Sequence, residues 1–350
     1  MRAVDRRILQ RIRRRLALLY GEDVLERLIQ RLALIVGRYG VGVTCPDGQV
    51  CARWDQRDAV LICYGDMLSA EHLGDLDEPP LATLHKFLRK HVGDAVSAVH
   101  VLPFFPYSSD DGFSVIDYRS VDPALGTWHE IQSLGEDYRL MVDLVINHVS
   151  SQSNWFRNYC LGLAPERHYF IEVDFDTDLS AVTRPRTSPL LRSVQTPGGE
   201  RHVWATFSHD QIDVNFANPD VLFEFLDILL FYVHNGIQII RLDAIAYLWK
   251  EIGTSCIHLP QTHEVVKLLR DLMEMLEPGM VLLTETNVPH TENVSYFGNG
   301  DEAHMVYQFS LPPLLLHALS TGNASYLTDW ANNLEAPPPG CSYFNFTASH

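Results

Sequence analysis

Seven short, apolar or β-branched runs alternate with longer stretches of helical period, and polar residues stand repeatedly at the carboxyl ends of the runs. These observations predict an α/β fold, an incomplete (β/α)8 TIM barrel of about seven strands, because strand–helix alternation builds right-handed β/α units and a parallel sheet. The runs lie at 59–64, 98–104, 140–147, 237–244, 280–286, 305–310 and 344–349. Helical period marks 81–91, 221–235 and 263–276 between them. "MVDLVI" and "VLLTE" are nearly continuous apolar runs, as expected of strands buried on both faces.

The length of 350 residues suits such a barrel with insertions, and 46% hydrophobic residues can bury a large core. Residues 1–58 read as an amphipathic helical extension and a connector. There Arg2, Arg6, Arg7, Arg11, Arg13, Arg14 and Arg15 interleave with Ile8, Leu9, Ile12 and Leu16, which predicts a helix docked on the barrel with a solvated basic face. Residues 59–148 form the first part of the barrel. Residues 149–218 are polar, rich in Pro, Asp and Arg, and weakly periodic, which predicts a capping insertion after the third strand. The second part of the barrel follows at 219–350, where the sequence stops directly after the seventh run, so the chain is expected to lack an eighth strand and any C-terminal β domain.

The net charge of −17, from 27 basic and 44 acidic residues, argues against a nucleic-acid partner. No apolar run is long enough for a membrane span, and the charged N-terminus lacks the apolar core of a signal peptide, so a cytoplasmic location and no membrane partner are expected. Cys45, Cys51, Cys63, Cys160, Cys256 and Cys341 form no C-x-x-C pair and read as reduced thiols. Phosphate-binding glycine loops are absent, and His263-Glu264 lacks the second His of a zinc motif, so no metal is expected.

On a β/α barrel, chemistry sits at the carboxyl ends of the strands. Arg241 and Asp243, two residues apart on a strand, point to the same side. The guanidinium would keep the carboxylate ionised, as a nucleophile at an anomeric carbon must be, although the pair alone equally describes a plain salt bridge. Glu285, one β/α unit later and beside Leu282 and Leu283, suits a shielded acid/base. His148 ends the third run at the same rim. Asp110 and Asp111 follow an aromatic, Pro-bearing turn, a setting in which a carboxylate accepts from sugar hydroxyls while rings such as Phe113, Tyr118 and Trp155 cover C–H faces.

The segments "DLVINH" (143–148), "GIQIIRLDAIAY" (236–247), "LLTETN" (282–287) and "FNFTASH" (344–350) resemble the four signature regions of the α-amylase-type retaining glycoside hydrolases and transglycosidases. "PFFPYSSDDGFSVIDY" (103–118) and "FSHDQIDVNFANP" (207–219) resemble the sucrose phosphorylase subgroup, nearest to its glucosylglycerate and sucrose 6′-phosphate phosphorylase branches. The resemblance implies a retaining double displacement with Asp243 as nucleophile and Glu285 as acid/base, giving α-glucose 1-phosphate. It implies glucosyl binding by Asp111, Phe113, His148, Gln211, Arg241 and His350, and no metal, although amylases often bind calcium through the asparagine that stands here as Asn147. The partners it implies are a small glucoside and inorganic phosphate as co-substrate, with no further cofactor. The family's third carboxylate follows the His of "ASH", so a chain ending at His350 is expected to have little activity by itself.

Three readings stand beside one another: a glucoside phosphorylase, an α-glucoside hydrolase or transglucosidase with the same carboxylates, and a non-catalytic sugar-binding barrel. The donor's leaving group (glycerate, fructose or fructose 6-phosphate) stays open. An anionic one calls for a cation, and Arg184, Arg186, Arg192 and Arg201 of the insertion are candidates, although solvated surface charge describes each one singly better.

Overall fold

The computed structural model describes residues 6–39, 53–68, 70 and 78–347. Two helices open it, α1 (Arg6–Tyr20) and α2 (Glu22–Tyr39), separated by Gly21. The barrel strands come next, β1 (Val60–Cys63), β2 (Ala98–Val101) and β3 (Arg139–Val145). Helix α3 (Pro80–Phe87) joins the first two and α4 (Trp128–Asp137) leads into the third. The chain then leaves the barrel through β4 (His148–Ser150), α5 (Asn154–Cys160), the hairpin β5 (Leu191–Thr196) and β6 (Gly199–Trp204), and β7 (Gln211–Asp213). It returns through α6 (Pro219–His234) to β8 (Ile237–Asp243), α7 (Pro260–Leu276) and β9 (Val281–Thr284). The short α8 (His290–Val294), β10 (Met305–Tyr307), α9 (Leu311–Thr321), α10 (Ser325–Asn332) and β11 (Ser342–Phe344) complete it.

Among the described residues, the barrel sheet has seven strands in the order β1-β2-β3-β8-β9-β10-β11, and every pairing is parallel. Sequential neighbours in one parallel sheet, each pair joined through helix, make the curled, incomplete barrel that alternation predicts. Each predicted run contains its strand or overlaps it. The seventh begins two residues earlier than expected, at Ser342. Its predicted end at Ser349, and His350, lie outside the described residues.

Two-faced burial shows most clearly in β3, where six of seven residues are buried. The strand contacts helix α4. Its inner face joins Ala98, Met141, Ile239, Val281, Leu283 and Tyr307 in a core inside the barrel. The helix expected at 81–91 changes character at Leu88, where the chain widens into a π-turn (Leu88–Val92) ending at Gly93 with φ 54°. Helix α4 starts with a capping box, Thr127 accepting from the backbone while Glu130 accepts from the Thr127 N–H, a signal that apolar period alone passes over.

The basic face of α1 is not simply solvated. This helix packs along α7, and α2 packs on α6. Arg15 is only 8% exposed, and its Nε lies 2.6 Å from Asp271 Oδ2 on α7. Arg11 Nε meets the other oxygen of Asp271 at 2.6 Å. Asp271 has no exposure, so removing its partners would leave a buried charge uncompensated. Arg15→Met is therefore expected to cost about 3 kcal/mol in urea unfolding. A loss below about 0.5 kcal/mol would mean that Arg11 alone suffices.

Candidate active site

Register brings the site together. Asp143 on β3 stands opposite Arg241 on β8, and Val145 opposite Asp243. Arg241 Nη1 lies 2.7 Å from Asp243 Oδ1 and 2.5 Å from Asp143 Oδ1. Its Nη2 lies 4.0 Å from Glu285 Oε2, which follows directly on β9. One buried guanidinium thus faces both of the carboxyl groups expected to react. Burial opposes its charge, but Asp143 and Asp243 hold it firmly protonated. Phe113 and Tyr307 flank it, their ring centres 5.6 and 5.7 Å from its central carbon.

Burial pushes the Glu285 carboxyl above the usual range; Arg241 opposes this, and the neighbouring Asp243 charge adds to it. Its Oε2 accepts from the Ala244 N–H at 3.2 Å. Ala244 holds φ 50°, a left-handed conformation costly for a residue with a Cβ. That turn aims the amide at Glu285 directly after the candidate nucleophile.

Around this pair is a cleft of about 840 Å³, lined by Asp110, Asp111, Phe113, His148, Gln211, Arg241, Asp243 and Glu285 among others. Of the candidates named from sequence, Arg186 also lines it, whereas Tyr118, Trp155, Arg184, Arg192 and Arg201 do not, and His350 lies outside the described residues. Their engagements differ from the simple expectation of side chains free to meet a sugar. His148 is 1% exposed; its Nδ1 lies 3.3 Å from Asn147 Nδ2 and its Nε2 is 3.0 Å from the Phe113 carbonyl. The Gln211 amide nitrogen also lies 3.2 Å from His148 Nε2, so the ring is engaged by the protein on both nitrogens. Gln211 Nε2 donates to Asp110 Oδ2 at 2.9 Å. Asp110 and Asp111 both hold positive φ, 57° and 47°. Gly112 follows at φ 104°, and a Cβ there would stand 2.7 Å from the Pro103 carbonyl oxygen, so the turn admits only glycine. Of the other aromatic candidates, Tyr118 and Trp155 stack on each other in the core, and the Tyr118 hydroxyl is 2.7 Å from the Val145 carbonyl, where it holds the end of β3.

Two clusters clamp the rim, and apolar period gives no hint of either. The Asp210 carboxylate accepts from the hydroxyls of Ser108, Ser109, Ser114 and Ser151, the last at 2.6 Å. It ties the 108–114 turn and the end of β4 to the insertion. Lys250, its ammonium buried, lies 2.6 Å from Asn147 Oδ1 and 2.5 Å from Asp213 Oδ2, and also donates to the Tyr247 carbonyl. Burial lowers its pKa and Asp213 opposes that. The Lys250 amine is therefore seated among the oxygens around Asn147. Among the described residues, no His, Cys, Asp and Glu cluster fit for a metal occurs. Tyr64, Phe207, Tyr247 and Tyr307 also line the cleft, and sequence reading did not single them out.

The alpha-amylase catalytic-domain family model matches residues 90–335. The glucosylglycerate phosphorylase of Spirochaeta thermophila is 50% identical over 343 residues, covering 97% of this chain and 58% of that protein. The glucosylglycerate phosphorylase of Escherichia coli K12 is 52% identical over 299 residues, covering 85% and 53%. The chain thus spans a little over half the length of these curated relatives. Among solved structures, the sucrose 6F-phosphate phosphorylase of Thermoanaerobacter thermosaccharolyticum superposes with a TM-score of 0.72 at 28% identity, covering 85% of this chain and 60% of that one.

The serine cradle holds Asp210 below the usual carboxylate range, its hydrogen bonds outweighing burial. A depressed folded pKa gives stability that is present above the unfolded value, about 3.9, and lost as pH falls through the folded value. Thermal melting of Asp210→Asn is expected to be lower than that of the unsubstituted protein at neutral pH, with the gap closing below about pH 4. A gap that stays constant down to pH 2 would sink this assignment.

Proposed function

Because this chain belongs to the alpha-amylase catalytic-domain family, we propose that it carries the glucosyl-transferring site of a retaining glucoside phosphorylase. One observation supports this above the others: a single guanidinium lies 2.7 Å from Asp243 and 4.0 Å from Glu285, and burial pushes the Glu285 carboxyl upward. A charged carboxylate beside a protonated one is the pairing that double displacement needs. Asp243 attacks the anomeric carbon as Glu285 gives its proton to the departing oxygen, leaving a β-glucosyl-enzyme. Glu285 then takes the proton of the attacking phosphate, and α-glucose 1-phosphate leaves. Asp111, Phe113, His148, Gln211 and Arg241 hold the glucosyl ring, His148 and Gln211 by fixing the Phe113 and Asp110 positions. Stretch 149–218 acts as the cap over it, and no metal takes part. The described cysteines, Cys63, Cys160, Cys256 and Cys341, are free thiols, which fits the reducing cytoplasm. No described helix is long and apolar enough to cross a membrane.

Glucosylglycerate is the donor we favour, since proteins bearing that activity's name are 50 and 52% identical to this chain. Its leaving group, glycerate, carries a carboxylate, and phosphate is also an anion. Of the four candidate arginines, Arg186 lines the cleft. Arg192 is turned to the His209 carbonyl and Arg201 to Glu172. Arg186 has no carboxylate partner among the described residues, so its charge is available to both anions.

The whole protein, given glucosylglycerate, sucrose 6′-phosphate or sucrose, is expected to release α-glucose 1-phosphate from the first only when phosphate is present. Glucose released at the same rate without phosphate would support the hydrolase reading instead. Asp243→Asn is expected to lower kcat at least about 10³-fold. Glu285→Gln should fail on natural donors yet keep activity on α-glucosyl fluoride, whose leaving group needs no proton. Arg186→Ala is expected to raise KM for both glucosylglycerate and phosphate about tenfold, in keeping with one lost charged hydrogen bond. If it leaves both KM values unchanged, Arg186 is surface charge.

A further inference from the structure

His100 lies in the middle of β2 and is 1% exposed. Its Nε2 is 2.8 Å from Asp143 Oδ2, while the other oxygen of Asp143 meets Arg241 Nη1 at 2.5 Å. That same Nη1 reaches Asp243 Oδ1 at 2.7 Å. Four side chains from three neighbouring strands therefore form one file, His100–Asp143–Arg241–Asp243, that ends on the candidate nucleophile.

The file has a weak point. Arg241 divides one nitrogen between two carboxylates, so a small rotation of Asp143 would draw it away from Asp243. Asp143 has no exposure, so its orientation rests on what binds each oxygen. Arg241 binds one, and His100 binds the other. Burial works against the Asp143 charge, yet Arg241 and His100 together hold the carboxyl below its ordinary range. Beyond Asp143, the ring lines a different cavity, at the opposite end of the strands, with Trp54, Arg139 and Phe344. It is not part of the cleft lining, so any effect it has on a sugar passes through Asp143.

We infer that His100 is a positioning residue for the nucleophile, its Nε2–H fixing Asp143 so that Arg241 presents Asp243 to the anomeric carbon. This rests on the reading of Asp243 as nucleophile. His100→Phe keeps the ring and removes the donor, and His100→Gln restores an N–H near the same place. In the whole protein, phosphorolysis of glucosylglycerate is measured together with melting temperature. His100→Phe is expected to lower kcat about 10- to 100-fold with KM within about twofold, because small misplacement of a reacting group is costly. His100→Gln should recover most of that loss. A His100→Phe protein with unaltered kcat overturns the inference, as does an equal loss in both variants. Should His100→Phe melt below the assay temperature, His100→Met takes its place beside His100→Gln, and the same comparison decides. Asp243→Asn is run alongside: if it turns over normally, the nucleophile reading fails, whereas an inactive Asp243→Asn beside an unaffected His100→Phe sinks this inference alone.

Discussion

The buried guanidinium of Arg241 is the constraint from which the rest of the site follows. A cation with 3% exposure in the middle of a barrel is untenable without compensation. Two carboxylates in direct contact and a third at 4.0 Å supply it, and they fix what can stand on β3, β8 and the end of β9. One group therefore sets three electrostatic conditions. It keeps Asp143 ionised, it holds Asp243 by a short charged bond, and it stands far enough from Glu285 that burial, not attraction, governs that carboxyl.

Strand geometry alone would leave the rim loose, since Asp110, Asp111, Phe113 and Glu285 sit beyond the last paired residues of β2 and β9. Two ionic clamps tighten it. Asp210 gathers serines from the β2 turn and from the segment after β4, which freezes the strained Asp110–Asp111–Gly112 corner against Gln211. Lys250 joins Asn147, Asp213 and the turn after β8. Both clamps join the insertion to the barrel through a buried or half-buried charge, so the cap cannot shift without exposing unpaired ions.

How much of this could be read in advance follows from the range of each interaction. The strands were legible because two-faced burial writes itself as unbroken apolar runs, and Arg241 with Asp243 because period two puts them on one face. Asp143 carried a signal that apolar pattern reading passes over: a carboxylate inside "MVDLVI" must have a partner, and the pattern does not say which. His100 in "AVHVLPFF" gave none, since a lone histidine in an apolar run reads as core. Its partner is 43 residues away, and Lys250 and Asn147 are 103 apart. The basic face of α1 misled for a related reason. Helical period shows which side is apolar, but not that a neighbouring helix would bring Asp271 to meet Arg15.

The same distinction divides the chemistry from its selectivity. On the proposed reading, the glucosyl half of any donor meets residues carried by barrel strands and their first turns, whose positions are set by the sheet and by Arg241. The departing group and phosphate meet the insertion, where Arg186 is exposed on a stretch without regular structure. Interactions fixed by the sheet are hard to alter singly, because each is tied to a buried charge. A loop arginine can be replaced at little cost to folding. On that reading, selectivity within this chain falls to the insertion and not to Asp243 or Glu285.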